Sequence, residues 1–129
     1  MGKADTILSA CACAVLLFVA KAAAAEQIFL HCTGGGGYVV LRVDTARSTL
    51  TEVDWNGMAR EWVPPSQRVT AGEIEYDAPM PDARNLFHLH KHIDRMTGQY
   101  VITAINPPPG LAIDMVSYGT CEKIAGPKF

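Results

Sequence analysis

The 129-residue sequence has no Cys-x-x-Cys pair, no block of lysine and arginine, no G-x-S-x-G string and no apolar run long enough to span a bilayer. Each absence excludes a class of function. Without a Cys-x-x-Cys pair, a thiol-based metal or redox centre has no scaffold. With 11 Lys and Arg against 13 Asp and Glu, scattered along the chain, nothing supplies the clustered positive charge that phosphate backbones or anionic lipids need. Ser48, Ser66 and Ser117 lack a neighbouring His or acid pattern that would mark an activated nucleophile. The run Gly34-Gly35-Gly36-Gly37 is not followed by the Lys and Ser/Thr of a phosphate loop. The chain therefore reads as non-enzymatic, with no nucleic-acid partner. No segment of residues 26–129 shows a sustained apolar period near 3.6, so long amphipathic helices are excluded as well.

What is present begins with a leader. Lys3 lies in a short polar start, an apolar stretch runs from Ile7 to Ala20, and Ala23-Ala24-Ala25 satisfies the A-x-A cleavage rule. The apolar stretch is about 14 residues, against the roughly 20 of a membrane span, and Lys21 ends it. Residues 1–25 are read as a signal-peptide helix and 26–129 as a single β domain, periplasmic or secreted, with no stable membrane span after cleavage. Leu8-Ser9-Ala10-Cys11 is similar to a lipoprotein cleavage site, but the apolar segment follows the cysteine instead of preceding it. Cys11 and Cys13 leave with the leader. The two cysteines that remain, Cys32 and Cys121, form an even count in an oxidising compartment, and one disulfide is the simplest pairing.

Short β-rich runs separated by turn residues fill the remainder. They are Gln27–Thr33, Tyr38–Val43, Ser48–Trp55, Arg60–Val63, Gln67–Asp77, Asn85–Ile93, Gln99–Ile105 and Leu111–Ile124. The glycine run reads as a flexible break. Asp44–Arg47, Asn56-Gly57 and Asp94–Gly98 read as turns, and Pro107-Pro108-Pro109 as a stiff loop. The expected fold is all-β: a small antiparallel meander barrel or sandwich of about seven or eight strands.

Three groups of residues are candidates for a site. His88, His90 and His92 alternate with Phe87, Leu89 and Ile93, so the histidines share the solvated face of a strand. Neutral imidazoles so placed can ligate zinc or copper, with His31 as a further ligand from another strand. Arg95 sits at a hairpin tip and Trp55 and Trp62 flank a turn, where they can form a binding patch. Glu73 and Glu75 share a strand face and read as exposed charges.

Cys32-Thr33-Gly34, the I-D-R-x-T-G run Ile93–Gly98, and a late Cys121 before a C-terminal Phe129 together resemble a set of small exported bacterial proteins with no established activity. That resemblance implies export and a β domain; the H-x-H-x-H run is outside its pattern. The plan is also similar to periplasmic inhibitors of C-type lysozyme, whose S-G-x-x-Y loop has no counterpart here. The function expected is binding of a partner protein or cell-envelope component, with hydrolase inhibition and metal binding as alternatives.

Overall fold

The structure is a computed structural model that describes residues 26–79, 87–110 and 114–126. The leader, the Pro81 loop and the start of the last expected strand lie outside the described residues. Within them the chain is all-β. Nine strands form one antiparallel sheet: β1 (Gln27–Gly34), β2 (Gly37–Asp44), β3 (Thr49–Trp55), β4 (Met58–Trp62), β5 (Gln67–Val69), β6 (Glu73–Pro79), β7 (His88–Asp94), β8 (Gln99–Ile105) and β9 (Val116–Ile124). The order across the sheet is β4-β3-β2-β1-β9-β8-β7-β6-β5. Apart from β1 with β9, every pairing joins consecutive strands, which is the meander expected from the short connections. No helix among the described residues is long and apolar enough to cross a membrane.

The curl of the sheet brings its two ends together. Neighbours alternate in direction, so β4 and β5, at opposite ends of a nine-strand row, run the same way. They are two parts of one bent strand that leaves β3, turns at Pro64-Pro65 and joins β6. Counted so, the sheet has the eight strands that the sequence suggests. The prolines explain the break, because neither can donate a backbone hydrogen bond to β3. The Gln67 side chain fills that place: Leu50 N–H donates to its Oε1 (2.7 Å), and its Nε2 lies 3.3 Å from Leu50 O and 2.8 Å from Pro64 O. The sheet is thus a half-barrel with a side chain across its seam.

Two expectations are corrected. The glycine run is a tight hairpin between β1 and β2, with φ of 64° at Gly35 and 80° at Gly36. Both central residues of such a turn need positive φ, so this is an ordered corner, not a flexible break. Gln67–Asp77 is two strands, not one. Thr70 reverses the chain, its N–H donating to Glu73 O (2.9 Å) while its Oγ1 accepts from Glu73 N–H (3.0 Å).

The Asp94–Gly98 turn forms as its residues suggest. Asp94 Oδ1 accepts from the N–H of Met96 (2.9 Å) and Thr97 (3.2 Å). The inner face carries Leu30, Leu41, Val43, Leu50, Ile74, Ile93 and Tyr100, all buried. Burial of each of the aliphatic side chains among them contributes about 1.5–3 kcal/mol. Cys32 and Cys121 are directly opposed on β1 and β9, with Cα atoms 4.0 Å apart, and are joined by a disulfide. Beside them Gly119 packs against the backbone of Thr33 and Gly34 so closely that a Cβ would collide with Thr33 O.

Candidate functional site

Among the described residues, the inner face carries one buried carboxylate, Glu52. Pairing between β2 and β3 shifts register at Val40/Leu41, opposite Glu52 and Asp54. Alternation keeps Leu50 and Glu52 on the same, inner side, and the bulge at Val53 returns Trp55 to that side opposite Val39. Glu52 is wholly inaccessible to solvent. Three side chains from three other strands converge on it. Arg60 Nη2 of β4 contacts Oε1, Lys91 Nζ of β7 lies 3.3 Å from Oε2, and Tyr76 Oη of β6 donates to Oε2 at 2.5 Å. A buried carboxylate is tolerable only when its oxygens are so occupied.

The surroundings extend the network. Arg60 lies over the Trp62 ring (5.1 Å) and Lys91 over the Tyr76 ring (5.4 Å), positions that favour cations. Burial pushes the Lys91 ammonium below its ordinary range, with Glu52 opposing that shift. Burial, reinforced by the Glu52 charge, holds the Tyr76 and Tyr100 hydroxyls above theirs. Arg60 Nε is buried with no hydrogen-bond partner.

This cluster borders a cavity of about 250 Å³ at one end of the half-barrel, the end formed by the β1–β2 and β3–β4 turns. Arg60 and Lys91 are the charged residues of its wall, with Tyr38 and Asn56 adding polar groups and Val39, Trp55, Leu89 and Ile102 apolar surface. Gly35, Gly36, Leu89 and Ile102 also line a second, shallower hollow of about 670 Å³, completed by Phe87, Ala104, Asp114, Val116, Ser117 and Tyr118. The two hollows are adjoining compartments of one mouth: the inner one holds the two cations, and the outer one mixes apolar side chains with Asp114 and Ser117. Tyr118 borders the outer hollow from β9, opposite Val101 and on the same outward face as His92, and is 68% exposed.

The residues singled out in the sequence are elsewhere. His88, His90 and His92 point outward as alternation requires, and each faces a different residue of β6. His88 is opposite Pro79 and exposed. His90 Nδ1 lies 2.8 Å from Asp77 Oδ1. His92 Nε2 lies 3.7 Å from both Glu73 Oε2 and Glu75 Oε1, and these three side chains bring ligand atoms within 4.8 Å of one another. Glu73 also receives Arg68 Nη2 at 3.1 Å. The cluster of potential ligands is therefore one histidine with two carboxylates, not the three histidines together. His31 is three strands away from β7, roughly 14 Å at ordinary strand spacing, and stacks on Tyr38 instead. Arg95 is tied down: its Nη1 donates to Thr70 O (2.6 Å) and its N–H to Gly72 O (2.9 Å). Trp55 and Trp62 pack against the core from part-buried positions, and Trp55 lines the cavity.

Glu52, Arg60 and Lys91 were not among the sequence candidates, although the signal was available. Lys91 lies between Leu89 and Ile93 on the alternating strand, which puts it inside. Glu52 is two residues from Leu50 and hence on its face, while the parity change at Val53 marks the bulge. Comparison of the chain with protein-family models, with curated proteins and with solved structures returned no match.

Proposed function

We propose that this protein is an exported, non-enzymatic β domain that binds a cell-envelope component, and that it does so through the mouth of the half-barrel. The observation that carries this reading is the pairing of a concave, partly apolar cavity with two cations gathered at its foot. Small-molecule sites likewise combine apolar walls with a few fixed polar groups. Glu52 positions both cations from behind without reaching the cavity wall itself. The Cys32–Cys121 disulfide and the leader-like N-terminus support an extracytoplasmic location. Nuclear magnetic resonance of the oxidised protein titrated with solvent-extracted envelope fractions tests the reading. Amide peaks of Gly35, Leu89 and Ile102 are expected to move with at least one fraction. If no fraction moves them, the mouth is not the binding site.

A second reading has its own observation. Glu73, Glu75 and His92 suit a divalent metal such as zinc, because an imidazole and two carboxylates are ordinary zinc ligands. Tetrahedral zinc at bond lengths near 2.0–2.2 Å requires ligand atoms about 3.4 Å apart. The two 3.7 Å separations from His92 are close to that value. Arg68 would retain one oxygen of Glu73 or yield it to the metal. Zinc titration with a thermal-shift readout checks this, and an unchanged melting temperature at tenfold excess rejects it.

A further inference from the structure

The reading of the mouth as a binding site leaves the ligand open, and the inference that follows rests on that reading. We infer that the mouth takes a small amphipathic mono-anion, a carboxylate on an unbranched or ring-shaped apolar body, with the carboxylate at Arg60 and Lys91 and the body in the outer hollow.

Charge selects the head group. The cluster holds two cations and one carboxylate, Glu52, which is fully enclosed. One positive charge is left over on the cavity side. Lys91 is 95% buried, so this charge is exposed to little bulk water and attracts an anion more strongly than a surface lysine does. The Arg60 side chain is 31% exposed and lines the cavity while its Nη2 is held by Glu52. A guanidinium with one edge engaged and an N–H free can still give a charge-assisted hydrogen bond to a carboxylate. A dianion would exceed the spare charge, and a cation would meet two like charges.

The walls select the remainder of the ligand. The inner compartment, at about 250 Å³, admits a head group and a few carbons. Leu89 and Ile102 continue without a break into the outer compartment, where Phe87 and Ala104 add apolar surface; Val116 and Tyr118 border it from β9 positions that share the outer face with His90 and His92. The acid of that outer wall among the described residues is Asp114, which is exposed. It lies away from the cations, and so leaves the head-group position positive.

The test is a calorimetric titration of the oxidised protein, in low-chloride buffer, with straight-chain carboxylates from acetate to decanoate below their micelle concentrations. Octanamide, octanol and octylamine serve as matched bodies with other heads. Affinity is expected to rise by about threefold to fourfold per added methylene over the middle of the series. The amide and alcohol are expected to bind at least tenfold more weakly than octanoate, and the amine not at all. Arg60→Gln should weaken octanoate tenfold or more. If that variant fails to fold, Ile102→Trp, which fills the cavity and leaves every charge in place, should abolish binding. Equal binding of octanoate and octanamide, with peaks moving at Leu89 and Ile102, would overturn the anion inference and leave the mouth as a site. Acetate binding as well as octanoate would overturn the amphipathic body. Absence of binding by any member, with no peak at Gly35, Leu89 or Ile102 moved by envelope fractions, would remove both this inference and the reading beneath it.

Discussion

The side chain of Gln67 pairs with the backbone of Leu50 as a neighbouring strand would, supplying an acceptor at 2.7 Å and a donor at 3.3 Å. A single amide thereby spans the place where Pro64-Pro65 cannot serve as a partner. Gln67→Ala should leave Leu50 N–H and C=O unpaired in a part-buried position and cost about 2 kcal/mol. Gln67→Glu should restore little, because a carboxylate cannot donate to Leu50 O or Pro64 O. Urea denaturation of the three proteins measures this, and an unchanged midpoint for the alanine variant would show that the seam needs no bridge.

Glu52 and Lys91 should be strongly coupled. Lys91→Met or Glu52→Gln alone leaves an opposite charge buried with one partner fewer, at a cost of about 3 kcal/mol. The double variant removes both groups and should cost less than the two singles together, by about 1–3 kcal/mol. Additive losses in a double-mutant cycle would mean that the 3.3 Å contact contributes no coupling.

Stability should fall above pH 10. The hydroxyls of Tyr76 and Tyr100 have folded-state pKa values above the unfolded value near 10, because burial disfavours the phenolate. Above that pH the unfolded chain releases protons that the folded chain retains, so unfolding is favoured as pH rises. Lys91 acts in the opposite sense. Its folded pKa is below 10.5, so between the two values the unfolded chain binds the extra proton and stability rises with pH. Two tyrosines against one lysine give a net loss. Thermal unfolding above pH 10.5 should show a falling midpoint, with the slope reduced in Tyr100→Phe.

Removing the Cys32–Cys121 bridge should cost about 4–5 kcal/mol on loop-entropy grounds, given a sequence separation of 89. Mass spectrometry of the unreduced protein should find two hydrogens fewer than the dithiol. Guanidinium unfolding with and without reductant measures the energy, and coincident curves would show that the β1–β9 pairing holds unaided.

The histidines should differ in their response to zinc. His92→Ala should abolish a zinc-induced rise in melting temperature, whereas His88→Ala should leave it intact, since only His92 has two carboxylates within 3.7 Å. Equal effects of the two substitutions would argue against the Glu73–Glu75–His92 cluster.

The meander, the disulfide partners and the outward face of the histidines were legible in the sequence. All three depend on short-range pattern: turn residues, an even cysteine count and a period of two. The site was not. Its members Glu52, Arg60, Tyr76 and Lys91 are spread over 40 residues and are joined only by the curl of the sheet, which no local period encodes. Charged residues in strands are ordinarily assigned to solvent, and the bulge at Val53 makes a count back from Trp55 turn Glu52 outward while the count on from Leu50 turns it inward. The split at Thr70–Gly72 was hidden because only Ala71-Gly72, which is not a strong turn pair, separates two β-rich runs.

The pairing of β1 with β9 sets an order of events for folding. Each of the other strand pairs joins consecutive strands and can form as soon as a hairpin's worth of chain exists. The edge of β1 must wait for residues near position 120, so the slowest contact in the sheet spans nearly the whole domain. A chain threaded N-terminus first keeps that edge open until its last strand arrives, and during that interval it is most exposed to pairing with a neighbour. Because Cys32 and Cys121 meet only at that step, their oxidation would report that folding is complete.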